Sequence, residues 1–338
     1  MKNIKQALLI ILRIAISIAL LIFLFRQVNR ETMFETVRGA NKYLLIAAFL
    51  VYFFTYLICL YRWQMLLKAS GIHLPLKRVI ISFSGGIFFS LFLPSSIGGD
   101  FMRSVDLALF TRKPRQIVAT VLLDRLSGYV GLVILTLLAV LFGWKLVLDR
   151  SIVIAICILI VVLVIALLVL FNKFVYSRIN KFLGPPGSGR IREAIGNLHQ
   201  EMHYFRNHKK VMVNNVILSI LVQAVAPLTF YLIALAIGVK LDLVYFFIFL
   251  PIIGAVTLLP VSIGGLGLRD AMTIFFFGKI GMAKDLAFAM SLLSFLFMVI
   301  YGSIGGLIYV LTIRHRRIQP DQPSAVFPGR QEIPGPPL

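Results

Sequence analysis

The residues best suited to chemistry in this chain lie in one short motif of two glycines, a carboxylate and an arginine. The stretch PSSIGGDFMR contains Gly98, Gly99, Asp100 and Arg103. Adjacent glycines permit a close approach of backbone to ligand, and a helix that begins there presents free N–H groups to an anion. An arginine one turn later can bind a phosphate through two hydrogen bonds. The motif therefore predicts an anion site; a tight turn followed by a snorkelling arginine is the alternative.

The same motif occurs a second time in the chain. Residues 260–269 read PVSIGGLGLR and match residues 94–103 at six of ten positions. Each copy follows an apolar stretch of about fifteen residues, which is short for a bilayer span and typical of a re-entrant or broken segment. Paired short segments interrupted by glycine point to the binding site of a transporter. The second copy lacks the acidic residue of the first and adds these candidate site residues: Gly264, Gly265, Arg269 and Asp270.

Three more charged residues follow the first motif. Asp106 lies three residues after Arg103, on the same helical face, and is expected to hold that arginine when no ligand is bound. Asp124 and Arg125 fall inside the apolar run VLLDRLSGYVGL, where ionisable groups are costly and are by default functional or paired. Adjacent residues point to different faces of a helix, so we expect their partners on the glycine segments. A structural salt bridge between helices is as good an interpretation as a role in ligand binding.

Signals for other kinds of chemistry are weak. His199 and His203 have the spacing of a zinc pair, but the glutamate between them is misplaced and no third ligand is evident. Residues 265–270 lack the third glycine of a dinucleotide loop. The sequence contains neither GxxxxGK[ST] nor GxSxG, so ATP-driven transport and serine hydrolysis have no support. We therefore predict no metal, no cofactor and no catalytic residue.

The composition is that of a polytopic membrane protein. Of 338 residues, 59% are hydrophobic and 14% are charged, and the formal net charge is +21. The basic residues lie in loops between apolar runs, so anionic lipid headgroups are the expected partner and nucleic acid is not. We predict a membrane domain over residues 1–318, with halves 1–145 and 146–318 and a cytoplasmic amphipathic loop at 173–210. Residues 319–338 are rich in proline and are expected to be disordered.

The predicted fold is an all-α membrane protein with eight membrane segments. Two of these segments are re-entrant helical hairpins, related as an inverted repeat, and an alternative has eight full spans. With the N-terminus inside, the inside loops hold 21 basic residues and the outside loops ten, which satisfies the positive-inside rule. Both termini are then cytoplasmic. The six full spans are 7–25, 43–61, 117–142, 151–171, 211–237 and 286–312.

Three motifs together resemble one known family. The stretches LPSSIGGDFMR, VLLDRLSG and LPVSIGGLGLRD are similar to the transmembrane region of lysylphosphatidylglycerol synthases, the flippase-like integral membrane family. The similarity reaches to about residue 312. Full-length synthases add a soluble aminoacyl transferase domain, for which the 26 residues after the last span leave no room. The resemblance implies translocation of a lipid or lipid-linked headgroup without lysyl transfer. It also implies these characteristic positions: Gly98, Gly99, Asp100, Arg103, Asp124, Arg125, Gly264, Gly265 and Arg269.

Our leading hypothesis is a translocator of an anionic phospholipid or lipid-linked sugar in a bacterial-type inner membrane, not driven by ATP. The headgroup would move through a polar cleft between the hairpins, where Arg103 and Arg125 would stabilise the phosphate. One alternative is a membrane-embedded transferase that uses Asp100 or Asp124 as a base. Another is a membrane scaffold for a separate lipid- or glycan-modifying enzyme. The duplicated hairpin favours transport, so enzymatic activity is the weaker expectation.

Overall fold

The computed structural model describes residues 18–93, 97–142, 208–257 and 265–318, with isolated positions between 153 and 164. Regular structure within these residues is α-helical throughout, which confirms the all-α prediction. The helices are α1 (Ile18–Gln27), α2 (Arg30–Gly39), α3 (Lys42–Ala69), α4 (Leu76–Phe92), α5 (Ile97–Thr111), α6 (Pro114–Phe142), α7 (Lys209–Ala236), α8 (Leu243–Thr257), α9 (Leu268–Gly278) and α10 (Lys284–Ile318).

Four of these helices are long and apolar enough to cross a membrane. They are α3, α6, α7 and the part Lys284–Thr312 of α10, with 28 or 29 residues each. At about 1.5 Å per residue each is about 42 Å long, which exceeds the roughly 30 Å of a bilayer core. They confirm four of the six predicted spans. The run 7–25 is described only from residue 18, the run 151–171 only at isolated positions, and the loop 173–210 and the tail 319–338 fall almost entirely outside the described residues.

Local sequence signals begin and end these helices. Asn41 caps α3, because its side-chain oxygen accepts the backbone N–H of Tyr43 at 3.0 Å. Gly71 and Gly238 follow α3 and α7 with φ values of +71° and +82°, a conformation that glycine adopts without the penalty of a Cβ. The similar segments GIHL and GVKL therefore end equivalent long helices in the two halves.

Each glycine motif joins two short antiparallel helices. In the first pair, α4 and α5, the Ser82 hydroxyl donates to the carbonyl of Arg103 at 3.2 Å near the middle of both helices. In the second pair, α8 and α9, the rings of Phe249 and Phe276 stack with centroids 5.4 Å apart. We call these pairs the first hairpin (α4–α5) and the second hairpin (α8–α9). With 17 residues, α4 is about 25 Å long, and the other three arms are shorter.

The order long, short, short, long helix occurs twice, as α3–α6 and as α7–α10. The equivalent helices α3 and α7 are antiparallel neighbours. Near one end Asn41 N donates to Ala236 O at 2.8 Å, and farther along Arg62 Nη1 donates to Ser219 Oγ at 2.8 Å. The first long helices of the two halves thus run in opposite directions.

Glycines allow α4 to pack closely on α10. A Cβ on Gly305 would lie 2.8 Å from the carbonyl oxygen of Ser84, and one on Gly306 would lie 2.3 Å from the Phe88 ring. The first hairpin therefore packs on α10, the last long helix of the other half. The equivalent helix of the second hairpin, α8, packs on α6, the last long helix of the first half. Large apolar side chains such as Tyr43, Leu109 and Phe142 remain exposed on the outside, as expected for a surface that faces lipid.

Candidate functional site

The glycines of the first motif bring α5 against α4. A Cβ on Gly99 would lie 1.9 Å from Ser90 Oγ and 2.2 Å from the carbonyl oxygen of Gly86, and one on Gly98 would lie 2.3 Å from Leu93 Cβ. Only glycine fits at these positions. We expected Gly99 to mark the meeting point of the two hairpins, but its close contacts lie within its own hairpin, because the antiparallel helices cross nearest at their shared tip.

A buried carboxylate joins three helices beneath this tip. Asp124 of α6 accepts Arg62 Nε of α3 at 2.6 Å and Arg103 Nη2 of α5 at 2.9 Å, one on each carboxylate oxygen. All three residues are at most 5% exposed. A charge so far from water requires partners of this kind, since an uncompensated one would be strongly destabilising.

A second carboxylate extends the network towards the surface. Asp100 accepts Arg103 Nε at 3.0 Å through one oxygen and Arg125 Nε through the other. The Arg125 side chain is 35% exposed, far more than those of Arg62 and Arg103. The structure thus provides partners on α5 for both Asp124 and Arg125. The five residues form a chain of ion pairs in the order Arg62–Asp124–Arg103–Asp100–Arg125. With three cations and two anions, this network has a formal charge of +1.

Arg103 is at the centre of this network. Its guanidinium carbon lies 4.6 Å from the Trp63 ring centroid and 5.4 Å from that of Phe83, so cation–π contacts help to hold it. Its Nη1 is nevertheless buried without a hydrogen-bond partner in the described part of the chain. A buried N–H donor normally has an acceptor, so this nitrogen is an exception among the buried polar groups.

The network lines a cavity of about 210 Å³. Its walls come from the first hairpin, α3, α6 and α7, and they include Cys59, Tyr129 and Gln223. No described residue of the second hairpin lines it. The described residues of the second hairpin pack against α6 and α7, and the predicted polar cleft between the two hairpins stays a prediction. The two arginines predicted to serve that cleft, Arg103 and Arg125, both line this cavity.

Asp106 does not hold Arg103, contrary to expectation. It forms a salt bridge with Arg78 of α4 at 2.8 Å, while Arg103 turns towards α3 and α6. The antiparallel pairing of the hairpin places Arg78 directly opposite Asp106. This pair connects the two helices at the base of the first hairpin and lies outside the cavity.

The described residues of the second motif form a network of hydrogen bonds around Asp270. Gly265 has a φ of +76°. The buried Asp270 accepts the backbone N–H of Gly267 at 2.9 Å, Ser291 Oγ at 2.5 Å and Arg269 Nη2 at 3.1 Å. Arg269 Nε also donates to Ser291 Oγ at 3.1 Å. Each polar group therefore has partners nearby, and this half differs from the first; Gly264 lies outside the described residues.

The 21 basic residues assigned to inside loops include Arg62, Arg78 and Arg103, and for these three the assignment is wrong. All three lie in helices and are at most 5% exposed, so none belongs in the count of loop charges. For Arg62 a signal was present. The apolar run that was ended at residue 61 continues through Trp63 to Leu67, so Arg62 could have been recognised as an ionisable residue within a long apolar helix.

The arrangement is suited to anion binding and poorly suited to proton transfer. Asp100 and Asp124 each accept from two arginines, one on each carboxylate oxygen, so a general base at either position would have to compete with a guanidinium group. Among the described residues no group of three or more His, Cys, Asp and Glu side chains could hold a metal ion. The pair His199 and His203 lies outside them.

Comparison with known proteins identifies the family of this chain. The family pattern described as "Lysylphosphatidylglycerol synthase TM region" matches residues 10–306. The chain belongs to this family. The resemblance stated from the three motifs is thus confirmed, and the protein is an integral membrane protein of the family, with multiple membrane passes.

Two relatives extend over most of the chain. A "UPF0104 membrane protein" of Methanothermobacter thermautotrophicus is 23% identical over 312 residues, which cover 84% of this chain and 88% of the relative. The "UPF0104 membrane protein PH1989" of Pyrococcus horikoshii is 23% identical over 330 residues, or 91% and 97% of the two chains. Neither name states an activity.

Proposed function

We propose that this protein translocates an anionic lipid, either a phospholipid or a lipid-linked sugar, without ATP, and that the cavity at the first hairpin binds the phosphate of the headgroup. The observation that carries the proposal is the network of three arginines and two carboxylates, which lines the cavity and has one excess positive charge. Ionisable groups within membrane helices are costly and are by default functional or paired. An anion in the cavity would neutralise the excess charge.

The proposed topology has six spans and two re-entrant hairpins in an inverted repeat. The antiparallel α3 and α7 support it, because equivalent helices of inverted halves must run in opposite directions. The tip of the first hairpin supports re-entry, since α5 begins beside Arg125, near the middle of α6. In this proposal the protein lies in a bacterial-type inner membrane. Both termini are cytoplasmic, because the loops on that side contain most of the basic residues.

The cavity is closed on the side where α3 ends, which is the cytoplasmic side in this topology. Beyond the Arg62–Asp124 pair in that direction lies a layer of fully buried apolar side chains. From the network the cavity extends the other way, past Tyr129 and Gln223. The protein would thus be open away from the cytoplasm, and transport would require a second conformation in which this layer parts. The layer consists of Leu66, Leu67, Leu107, Ile117 and Leu123.

The test is lipid movement in vesicles that contain the purified chain. A tail-labelled fluorescent anionic lipid should cross the bilayer with wild-type protein, and Arg103→Gln should abolish most of that movement because the phosphate loses its central donor. Arg38→Gln removes an exposed arginine of α2 and is the matched control. The proposal is wrong if folded wild-type protein moves no lipid, or if Arg103→Gln is as active as Arg38→Gln.

A further inference from the structure

A second space in the structure is a groove between the end of α6 and the start of α8. It shares no lining residue with the cavity at the first hairpin, and all of its lining residues are apolar. Its volume is about 230 Å³. An apolar cavity of about 150 Å³ is large enough to hold benzene, so this groove has room for a longer piece of hydrocarbon. The lining residues are Leu135, Leu138, Ala139 and Phe142 of α6 and Leu243, Val244 and Phe247 of α8.

The duplicated order of helices gives this groove a counterpart between α10 and α4. The register follows from the motif arginines. Arg103 donates to Asp124 of α6, and in the other half Arg269 donates to Ser291 of α10. Asp124 and Ser291 are therefore equivalent, and each position of α6 corresponds to the position 167 residues later in α10. The first residues of α4 and α8 differ by the same number. The α6 residues of the groove then correspond to Gly302, Gly305, Gly306 and Tyr309.

The counterpart between α10 and α4 is closed by its glycines. A Cβ on Gly302 would lie 2.3 Å from Leu91 Cδ1, and one on Gly85 would lie 2.5 Å from Cδ2 of Tyr309. In α6, leucines take the places of two of the three α10 glycines, and their side chains keep α8 from approaching as closely. Phe142, the equivalent of Tyr309, is 81% exposed. The groove is thus the space that remains where one of two equivalent helix pairs cannot close.

The position of the groove along α6 places it at the depth of lipid hydrocarbon chains. Like the other long helices, α6 is about 42 Å long, so it exceeds the roughly 30 Å core of a bilayer by about four residues at each end. The last eight residues of α6, which include its lining residues, therefore pass from the headgroup boundary into the hydrocarbon core. Water is absent at this depth, and an empty groove would leave its walls without packing contacts, so hydrocarbon is the expected filling.

The described neighbours of the groove leave it open towards the lipid. Ile160, a described residue of the predicted span after α6, packs against Leu132 and Val133 and does not line the groove. Lys240 and Asp242 directly precede α8, and both are exposed. Because one is a cation and the other an anion, they provide contacts at the headgroup boundary without favouring one class of headgroup.

We infer that this groove binds one hydrocarbon chain of a membrane lipid, which fills between α6 and α8 the space that glycine contacts close between α10 and α4. The bound hydrocarbon supports the second hairpin against α6 from the lipid side. This site is separate from the charged cavity, and it accepts a hydrocarbon chain irrespective of the headgroup. It does not depend on the proposed function, because a protein that moves no lipid can still hold one in this groove.

The test places a photoreactive group in the groove. Full-length protein with Phe247→benzoylphenylalanine is reconstituted in phosphatidylcholine vesicles, extracted into detergent and irradiated, and the mass of each adduct identifies the captured partner. Detergent replaces lipids that only surround the protein, so the control Phe54→benzoylphenylalanine, at a 57% exposed position of α3, should capture little lipid. At Phe247 the lipid adduct should be at least about fivefold more abundant, because hydrocarbon in the groove keeps its packing contacts. Equal yields at the two positions would overturn the inference, as would capture at Phe247 of residues 151–171 or of a second copy of the protein in place of lipid.

Substitutions that fill the groove make the test specific. Ala139→Phe adds a ring within it and should reduce the lipid adduct at Phe247 to the level of the α3 control. Val244→Phe fills the groove from α8 and gives the same measurement if Ala139→Phe does not fold. The matched control Leu137→Phe changes a 46% exposed neighbour that does not line the groove, and it should leave the adduct unchanged. An undiminished adduct in the folded groove-filling variants would contradict the assignment.

The groove and the proposed translocation are judged by separate measurements. A lipid adduct at Phe247 from protein that moves no lipid in vesicles would support the groove and refute the translocation. Lipid movement by protein that forms no such adduct would refute the groove alone.

Discussion

Removal of the Asp124 charge should destabilise the protein more than any other single change in its ion pairs. Asp124→Asn keeps the size of the side chain but leaves Arg62 and Arg103 without their shared carboxylate. At a charge separation of about 4 Å and an effective dielectric constant of about 20, each arginine attracts a carboxylate by about 4 kcal/mol. In the intact network, the cost of removing these charged groups from water offsets much of this electrostatic attraction. Loss of one member of a buried pair still costs about 3–5 kcal/mol, because the remaining charge stays buried.

The assay is thermal unfolding of the purified protein in detergent. For Asp124→Asn we expect the midpoint to fall by an amount on the order of 5–10 °C. Asp106→Asn is the matched control, since Asp106 forms a salt bridge with Arg78 alone and its side chain is 16% exposed. It should show a smaller fall and should leave lipid movement unchanged, because Asp106 lies outside the cavity.

The double variant Arg62→Gln/Asp124→Asn tests whether the unpaired arginine causes the loss of stability in Asp124→Asn. If the cost arises from the unpaired arginine, removal of Arg62 in the Asp124→Asn background should restore part of the lost stability, so that the two effects are not additive. A midpoint of Asp124→Asn within about 1 °C of wild type, or a double variant that loses the sum of both single effects, would refute this reasoning.

Three further predictions concern other parts of the molecule. Arg103→Lys should reduce lipid movement at least about tenfold while the folded protein remains, since lysine cannot contact both carboxylates and an anion at once; a rate equal to wild type would contradict this. Gly99→Ala should lower the unfolding midpoint more than Gly265→Ala, because its Cβ would meet Gly86 O at 2.2 Å whereas Gly265 has room and only its φ of +76° opposes alanine; the reverse order would show that close packing at the first tip is not limiting. In intact cells a membrane-impermeant thiol reagent should label Lys240→Cys and not His73→Cys, since these exposed residues follow α7 and α3 at opposite ends of the antiparallel pair; labelling of both would rule out the inverted topology.

The sequence by itself determined the helices and their duplicated order. An apolar run that is long enough to cross a bilayer can pair its backbone polar groups there only as a helix. Four predicted spans therefore coincide with long helices, and most of their ends agree to within one or two helical turns. The doubled glycine motif likewise predicted two short helix pairs, because glycine at a tight crossing is a local requirement. Lys68 and Leu67 were missed as parts of α3 because that prediction ended the helix at the first arginine.

Only the tertiary structure decided which charges meet and where the cavity lies. Asp124 is paired with Arg62, which lies 62 residues earlier in the chain, and Asp106 with Arg78 at a separation of 28 residues. Spacing along one helix favoured Arg103 as the partner of Asp106, but the antiparallel packing of α4 on α5 placed a better cation opposite it. The cavity likewise lies between the first hairpin and α3, α6 and α7, because the crossing of long helices sets which side chains share a buried space, and spacing along the chain contains no information about that crossing.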